Sequence, residues 1–396
     1  MIYYKNIDDI TEEDLRLLLE NQIPEGRMID YKRELPKNDR QSKIDFLTDI
    51  SAFANASGGL IIYGIDEKEG IPVSITGIHV ENKDDEILRL DQLILAGITP
   101  RLPQVKLRFL TLESQKDLLL ISIPKSWSAP HVVNYQKHWR FHIRSSAGNH
   151  QMDLEEVRMS MLQSNNLPEK VRQFRDTRLS LIRSDESPVP LSSNSYIVLH
   201  LIPYSAVLNP DNSAYDFSVI PTNRYQIKPI HSTVHTSRYN LEGYLNYGHY
   251  DGNGRFWGYV QTFRNGIIES VDTMMLKISC GDKNCVPSYL LEKEIMGVTR
   301  VYLDFQRKMG ISPPITIFLS LLRVKNYYLA VNSKYDPYQD RKFLLQRENL
   351  ILPELILDSY PDDIPSSLRG LFDTLWNSFG WERSFSYDKD GQWRGQ

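Results

Sequence analysis

The stretch DISAFANASGGLIIYGID, residues 49–66, limits the fold more than any other part of the chain. Apolar residues recur at helical spacing up to its middle, which predicts a helix over residues 41–57. The glycines at 58–59 end this helix, because glycine adopts the left-handed conformation that a helix C-terminus often needs. The β-branched run that follows predicts a buried strand. Together they indicate an α/β layer with Asp66 at the carboxyl end of an interior strand.

A second stretch, EGRMIDYKREL at residues 25–35, alternates charged and apolar residues and predicts a strand that follows a loop. Asp30, Lys32 and Glu34 fall on one side of this strand, and their apolar neighbours fall on the other. Such a pattern is typical of a solvated strand edge, but it also suits half of a metal-dependent phosphodiester site. We expect Glu34 to face solvent.

A chain of 396 residues favours two domains. The expected fold class is α/β (α+β), with a mixed sheet in the N-terminal domain and a β-rich α+β domain after it. We predict an N-terminal domain over 1–165, a basic helix with a linker over 166–195, and a C-terminal domain over 196–396 that serves as a sensor, dimerisation domain or substrate groove. A helix beginning near Asp153 is predicted to break at 165–168.

Composition excludes some classes of protein. The chain is 41% hydrophobic and 24% charged, so it should fold, and its net charge of -4 disfavours a protein that coats nucleic acid through a large basic field. Only two cysteines, an acidic N-terminal stretch and apolar runs too short for a membrane span favour a cytoplasmic location without membrane association. The stretch "YDKDGQWRGQ" at the end is expected to be a polar tail.

Basic and aromatic residues alternate between residues 125 and 144, in a pattern that suits contacts to phosphates and stacking on bases. On the predicted strand HWRFHIR, the basic residues form one face, and the other face is expected to pack inward. A solvated face over an ordinary apolar one fits equally well. The candidate nucleic-acid contacts are Lys125, His131, Arg140, His142 and Arg144. The basic helix at 170–183 is a weaker candidate of the same kind.

Two other kinds of site are not favoured. No G-x-x-x-x-G-K-[ST] motif occurs, and the glycines at 58–59 precede a strand, whereas the glycines of a phosphate-binding loop precede a helix. We therefore expect no ATP hydrolysis. Cys280 and Cys285 with His231 and His235 supply the four ligands of a Cys2His2 zinc site, but the pairs lie in the reverse order to a zinc finger. Cysteines that are buried or incidental are the favoured interpretation.

The motifs IDYKREL, SAFANASGGLIIYGID, IPKSWSAPH and WRFHIRSSAGNHQM occur in an order that resembles the Schlafen-type divergent AlbA domain. The resemblance covers residues 15–160. Asn55, in the second motif, is expected to hold a neighbouring loop through side-chain hydrogen bonds.

The resemblance to the endoribonuclease Schlafens implies a three-carboxylate site for Mg²⁺ or Mn²⁺. The family pattern falls on Glu25, Asp30 and Asp66 as metal ligands, with Lys32 assisting catalysis. This chain carries Asp30 where those nucleases carry Glu, which shortens the ligand by one methylene. It also has one copy of a domain that they carry twice, so a homodimer is expected.

The resemblance thus implies a metal-dependent endoribonuclease that acts on structured RNA such as tRNA, in bacterial stress or phage defence. A nucleic-acid-binding transcriptional regulator without catalysis, acting on RNA or DNA, is the first alternative. A protein-binding scaffold or sensor is the second.

Overall fold

The computed structural model of the chain describes residues 2, 5, 7–102, 105–192, 195–208, 227–232, 236–278, 284–332 and 343–394. Cys280 and His235, of the zinc site considered above, lie outside these ranges. The chain separates into two compact units, Met1–Asn166 and Leu167–Gln396. Among the described residues, no helix combines the length and the hydropathy that a membrane span requires.

The first unit contains two four-stranded sheets and a hairpin. Its helices are α1 (Glu12–Glu20), α2 (Arg40–Asn55) and α3 (Lys83–Gly97). Its strands are β1 (Ile29–Lys32), β2 (Gly58–Tyr63), β3 (Ile65–Lys68), β4 (Ile71–Ile75), β5 (Ile98–Thr99), β6 (Lys106–Thr111), β7 (Asp117–Pro124), β8 (Val132–Tyr135), β9 (His138–Ser145) and β10 (Gly148–Gln151). The predicted helix over 41–57 is therefore confirmed.

The first sheet has the order β1, β2, β7, β6 and is mixed, because β1 runs parallel to β2 while β7 is antiparallel to both of its neighbours. The second sheet is antiparallel, with the order β10, β9, β8, β5, and β3 and β4 form a separate two-stranded hairpin. Helix α2 packs against β2 and β7 of one sheet and β9 of the other. Close packing between the two sheets requires small side chains near the end of α2, and Ser51, Ala52 and Ala54 are fully buried there.

Helix α4 (Leu154–Arg183) contains the division between the two units. It begins as predicted, with the Asp153 carboxylate accepting the Glu156 N–H at 2.8 Å. The predicted break at 165–168 is wrong, because the helix continues through Pro168. Proline removes one backbone hydrogen bond, but burial of Leu167 and Val171 on either side favours the helical path.

The second unit is built on one large antiparallel sheet with the order β12, β13, β14, β15, β11, β17, β19, and β20 also pairs with β17. Its further helices are α5 (Tyr204–Leu208), α6 (Met275–Ile278), α7 (Ser288–Lys308) and α8 (Ile364–Asn377). Its strands are β11 (Tyr196–Pro203), β12 (Thr236–Tyr239), β13 (Gly243–Tyr247), β14 (Gly258–Phe263), β15 (Ile268–Asp272), β16 (Cys285–Pro287), β17 (Ile315–Leu322), β18 (Tyr328–Ala330), β19 (Asn349–Ile351) and β20 (Leu355–Leu357). The predicted mixed α/β architecture with a β-rich second part is confirmed.

Two segments that were expected to be solvent-exposed, the linker and the polar tail, belong to the core of the second unit. Val189 and Leu191, in the predicted linker, are buried in an apolar cluster with Tyr259. The predicted polar tail also packs inward: Tyr387 is 3% exposed, and the Trp393 indole N–H donates to the buried Glu292 carboxylate at 3.1 Å. The prediction of a polar tail is therefore wrong, because burial of the aromatic side chains of this segment stabilises it more than exposure of its charged residues opposes it.

Candidate functional site

Strand β1 separates its apolar and charged side chains as predicted. Ile29 and Tyr31 are buried in one apolar cluster, on the side of the sheet that α1 covers. On the other side, the Lys32 ammonium lies 2.6 Å from Asp30 Oδ2. Asp30 is only 3% exposed, so its charge requires partners inside the protein. Glu34 is outside this arrangement: its side chain is 67% exposed, which confirms the expected solvent position.

Arg144, from β9, is the second cation beside Asp30. Its Nη2 donates to Asp30 Oδ1 at 2.7 Å, and its Nε donates to the Gly26 carbonyl at 2.7 Å. Its guanidinium lies 4.4 Å from the centre of the Phe53 ring on α2. Arginine suits this position because its planar fork satisfies several acceptors at once. Since Arg144 is buried with these donors engaged, it does not reach a phosphate in solution, contrary to its predicted role.

Asp49, on α2, joins this group, although it was not among the predicted site residues. The Asn149 amide donates to Asp49 Oδ1 at 2.6 Å, and Lys32 Nζ lies 3.7 Å from Asp49 Oδ2. Burial, opposed by the charge of Lys32 and supported by that of Asp30, raises the pKa of Asp49 to about 6. We call Asp30, Lys32, Asp49 and Arg144 the charged cluster. An acid among the apolar residues of a buried helix is the signal in the sequence that could have identified Asp49.

Glu25 lies at the border of the charged cluster. Its Oε1 accepts the Tyr31 N–H at 2.8 Å, which ties the loop before β1 to the strand itself. Burial raises the pKa of Glu25, and the charge of Asp30 adds to that shift, so the two carboxylates lie within electrostatic reach of each other.

Asp66 points to a different partner. It lies on β3, outside the first sheet, and its Oδ1 is 3.7 Å from Arg33 Nη1. In the described ranges, no three Asp, Glu, His or Cys side chains come together in a group that can hold a metal ion. The buried Asp30 also has a cation at each oxygen. The side chains as they lie therefore do not fit a metal ion shared by Glu25, Asp30 and Asp66, and we derive no step through one.

His131, a predicted nucleic-acid contact, is fully buried. Its Nδ1 bonds to the Pro100 carbonyl at 2.7 Å, and its Nε2 bonds to Ser126 Oγ at 2.5 Å. Burial lowers the pKa of His131, so the ring is neutral at pH 7. The Asn55 side chain bonds to both the N–H and the carbonyl of His131 and to the His142 carbonyl. The structural role expected for Asn55 is confirmed, and His131 has a structural position rather than a binding one.

The other predicted contacts differ in their accessibility. Lys125 is half-buried with its ammonium 5.1 Å from the Trp127 ring centre, and burial followed by the charge of Arg27 lowers the pKa of Lys125. His142 is half-buried, and burial lowers the pKa of His142. Arg140 is exposed. Of the predicted basic residues on β9, Arg140 is therefore the one that solvent reaches most freely.

The hairpin that joins β8 to β9 carries an exposed indole and two exposed cations, and a third exposed cation, Arg40, bonds to its turn. Positive φ angles at Gln136 and Lys137, 44° and 67°, form the tight turn that two-residue hairpins favour. Trp139 is 51% exposed. We call Arg40, Lys137, Trp139 and Arg140 the hairpin patch. Arg40, at the start of α2, donates to the Gln136 carbonyl at 3.0 Å.

The predicted division of β9 into an exposed basic face and a buried apolar face is wrong. Trp139 and Arg140, next to the turn, are both exposed, whereas Arg144, further along the strand, turns toward α2 and the charged cluster. Buried partners for a cation explain the position of Arg144: the Asp30 carboxylate and the Phe53 ring both attract the arginine.

A pocket of about 260 Å³ opens beside the charged cluster, and we call it the α2 pocket. Its charged and hydroxyl-bearing lining residues are Lys32, Glu34, Lys37, Ser42, Asp45, Asp49 and Tyr63, and its apolar ones are Leu35, Pro36 and Phe46. Arg40 of the hairpin patch and Ser42 of the pocket both lie in the first turn of α2. The pocket and the hairpin patch therefore adjoin each other.

The basic helix predicted at 170–183 is not a free cationic surface. Arg172 forms a two-pronged pair with Glu354 at 2.8 and 2.5 Å, and Arg178 forms one with the buried Glu269 at 2.9 Å through both nitrogens. Hydrogen bonds and charges of Arg178 and His200 lower the pKa of Glu269 to about 2 against the opposing effect of burial. These arginines fasten α4 to the sheet of the second unit, so they are not available to nucleic acid.

Comparisons with known proteins agree with the architecture of the first unit. Residues 25–153 match the family described as Schlafen, AlbA_2. No curated protein gives a significant match to the chain.

Two solved structures resemble parts of the chain. The DIP2311 protein from Corynebacterium diphtheriae is 17% identical with a TM-score of 0.27, and the alignment covers 38% of this chain and 31% of that one. The N-terminal domain of a RecG-related ATP-dependent DNA helicase protein from Nitrosomonas europaea is 21% identical with a TM-score of 0.22, covering 28% and 71%. Likenesses this weak carry no functional argument. The family match does identify one part of the chain: residues 25–153 form a Schlafen-type AlbA-like domain.

Proposed function

We propose that the first unit binds nucleic acid through the hairpin patch. The Schlafen AlbA_2 match supports a nucleic-acid-related function. The observation that carries the proposal is the exposed Trp139 indole, 51% accessible, on a hairpin that also carries the exposed Lys137 and Arg140 and bonds to the exposed Arg40. Arg40, Lys137 and Arg140 form no ion pair with any described residue, in contrast to Arg172 and Arg178.

The chemistry of the patch suits an unpaired strand. An exposed indole offers a flat face for one base, and stacking of this kind contributes about 1–3 kcal/mol per base. Cations without a carboxylate partner can neutralise phosphates and release their counterions, which gives affinity without sequence preference. A double helix hides its bases, so the patch favours single strands and the loops of structured RNA.

Fluorescence anisotropy with labelled tRNA, single-stranded RNA, and single- and double-stranded DNA tests the proposal on the full chain. Trp139→Ala should weaken binding of single strands about tenfold, which corresponds to about 1.4 kcal/mol of lost stacking. Tyr250→Ala removes an aromatic side chain that is 64% exposed in the second unit and serves as the matched control. Equal affinities of the two variants would contradict the assignment of the patch.

A second candidate function is cleavage of the bound strand, as in an endoribonuclease acting on structured RNA such as tRNA. The observation that favours it is the charged group at β1, where Glu25 and Asp30 lie within electrostatic reach and Lys32 Nζ is 2.6 Å from Asp30 Oδ2. A lysine beside two acids is suited to orient a nucleophile or to stabilise a phosphorane-like charge. Mg²⁺ or Mn²⁺ dependence, a homodimer and a role in bacterial defence stay predictions that rest on the family resemblance.

Incubation of tRNA with the full chain separates the two functions. The reactions contain Mg²⁺, Mn²⁺ or EDTA, and Lys32→Met is compared with Lys37→Met, whose side chain is 74% exposed at the rim of the same region. Cutting that is lost in Lys32→Met and kept in Lys37→Met supports the nuclease. If no substrate is cut while binding persists in EDTA, the protein is a binder without catalysis, such as a regulator. A double variant, Asp30→Ala with Asp66→Ala, tests the predicted metal ligands, and cutting that depends on metal but survives this change would contradict them.

A further inference from the structure

The α2 pocket lies between the charged cluster and the start of α2, and no part of the proposed nucleic-acid contact uses it. Its volume of about 260 Å³ is below the range of typical pockets for drug-sized ligands, about 300–1,000 Å³. The space therefore suits one flat ring system rather than a longer piece of a strand.

The charges of the pocket exclude a phosphate as its natural occupant. Three carboxylates, those of Glu34, Asp45 and Asp49, face two ammonium groups, and the Lys32 ammonium already lies 2.6 Å from Asp30. An anion placed there would meet uncompensated negative charge. The lining suits a neutral group with N–H donors, since ionised carboxylates only accept hydrogen bonds.

Tyr63, at the end of β2, provides an unused hydroxyl in this pocket. The residue is 3% exposed and lines the pocket, and its O–H bonds to no described residue. This hydroxyl oxygen is open to the pocket, so it can donate a hydrogen bond to a ligand or to water there. Burial, together with the charges of Asp49 and Asp30, raises the pKa of Tyr63 well above its usual value, so the phenol remains a donor.

We propose that the α2 pocket receives one unpaired guanine of the bound strand. The proposal rests on the proposed nucleic-acid binding of the hairpin patch, which adjoins the pocket at the first turn of α2, where Arg40 and Ser42 lie. Guanine presents two adjacent donors, N1–H and the N2 amine, next to the O6 acceptor, whereas adenine, cytosine and uracil lack that pair of donors on one edge. The Asp49 carboxylate accepts from the two donors, the Tyr63 hydroxyl donates to O6, and Leu35 and Phe46 pack on the ring.

Two RNA hairpins that differ in one loop position test the assignment on the full chain. One carries guanine there, and the other carries inosine, which lacks the N2 amine and keeps O6. Wild-type protein should bind the guanine hairpin about fivefold to tenfold more tightly, as expected for a base edge read by two hydrogen bonds. Asp49→Asn should remove this preference. Tyr63→Phe, which deletes one oxygen and keeps the packing, should weaken binding of both hairpins, because both bases carry O6.

The controls make the outcomes distinct. Asp91→Asn neutralises an acid on α3, away from the pocket, and should leave the preference unchanged. Equal wild-type affinity for guanine and inosine overturns the inference while leaving the hairpin patch intact. If the wild-type protein binds neither RNA hairpin, the proposed function itself is overturned. Free guanosine monophosphate that competes as well as the hairpin overturns the assignment to a strand-borne base.

Discussion

Removal of Arg144 is the perturbation whose effect follows most directly from the structure. Arg144→Ala deletes a cation that is 4% exposed and pairs at 2.7 Å with an Asp30 side chain that is equally buried. Breaking one side of such a buried pair costs about 3–5 kcal/mol, because the other charge stays behind without its partner. The Lys32 ammonium remains 2.6 Å from Asp30 and is 36% exposed, so it compensates in part. We therefore expect Arg144→Ala to lower the free energy of unfolding by about 3 kcal/mol.

The loss also includes the anchoring of the loop before β1. Arg144 donates to the carbonyls of Gly26 and Ile29, and both acceptors lose a partner in the variant. Arg144→Lys keeps the charge but cannot form the fork, so its effect should lie between the wild type and Arg144→Ala. Combining Arg144→Ala with Asp30→Asn should cost less than the sum of the single changes, because the uncompensated carboxylate is removed.

Pulsed hydrogen exchange during urea unfolding, read on peptides of β2, measures the free energy of unfolding of the first unit. Arg140→Ala is the matched control, since Arg140 is exposed on the same strand and donates only to the neighbouring Trp139 carbonyl at 2.9 Å. It should change stability by less than about 0.5 kcal/mol. A loss below about 1 kcal/mol in Arg144→Ala would refute the view that this pair organises the charged cluster.

Two further predictions concern stability. Burial raises the pKa of Asp49 to about 6, from about 3.9 in an unfolded chain. Because the folded protein holds this proton more tightly, Asp49 contributes most to stability below pH 4, and the contribution falls as the pH rises to 6. Relative to wild type, Asp49→Asn should therefore gain up to about 3 kcal/mol between pH 4 and pH 7 in the same unfolding assay, and a difference that does not vary with pH would contradict the shift. Gly58→Ala places a Cβ 2.5 Å from the Lys125 nitrogen at φ +71°, whereas Gly70→Ala, at φ +78°, meets nothing closer than 3.6 Å. Both substitutions should lower the free energy of unfolding by about 1 kcal/mol through backbone strain. Gly58→Ala should cost at least about 2 kcal/mol more, measured by thermal denaturation, because its Cβ collides with the backbone at Lys125. Equal losses in the two variants would show that the backbone moves apart without cost.

Local patterns predicted the frame of the first unit well. Helical spacing before the glycines at 58–59 and β-branched residues after them gave α2 and β2, because each element follows from its own residues. The alternation in β1 correctly separated Asp30 and Lys32 from their apolar neighbours.

The faces of β9 and the members of the site depended on contacts between distant segments. Arg144 turns inward because Asp30 and Phe53, more than ninety residues earlier in the sequence, surround it. Asp49 joined the cluster for the same reason. The position of Asp66 was estimated from its place after a buried strand, but the chain turns into a separate hairpin there, and Asp66 pairs with Arg33. Alternation in sequence gives two faces of a strand without stating which of them is buried.

The salt dependence of binding tests the central claim most directly. The dissociation constant of the full chain for a single-stranded RNA is measured between 50 and 200 mM salt, together with that of Arg140→Gln. Each cation that contacts a single-stranded phosphate contributes about 0.7 to the slope of log affinity against log salt. Nucleic-acid binding through the hairpin patch predicts a slope that is about 0.7 shallower in Arg140→Gln. An unchanged slope, or no binding at low salt, would contradict it.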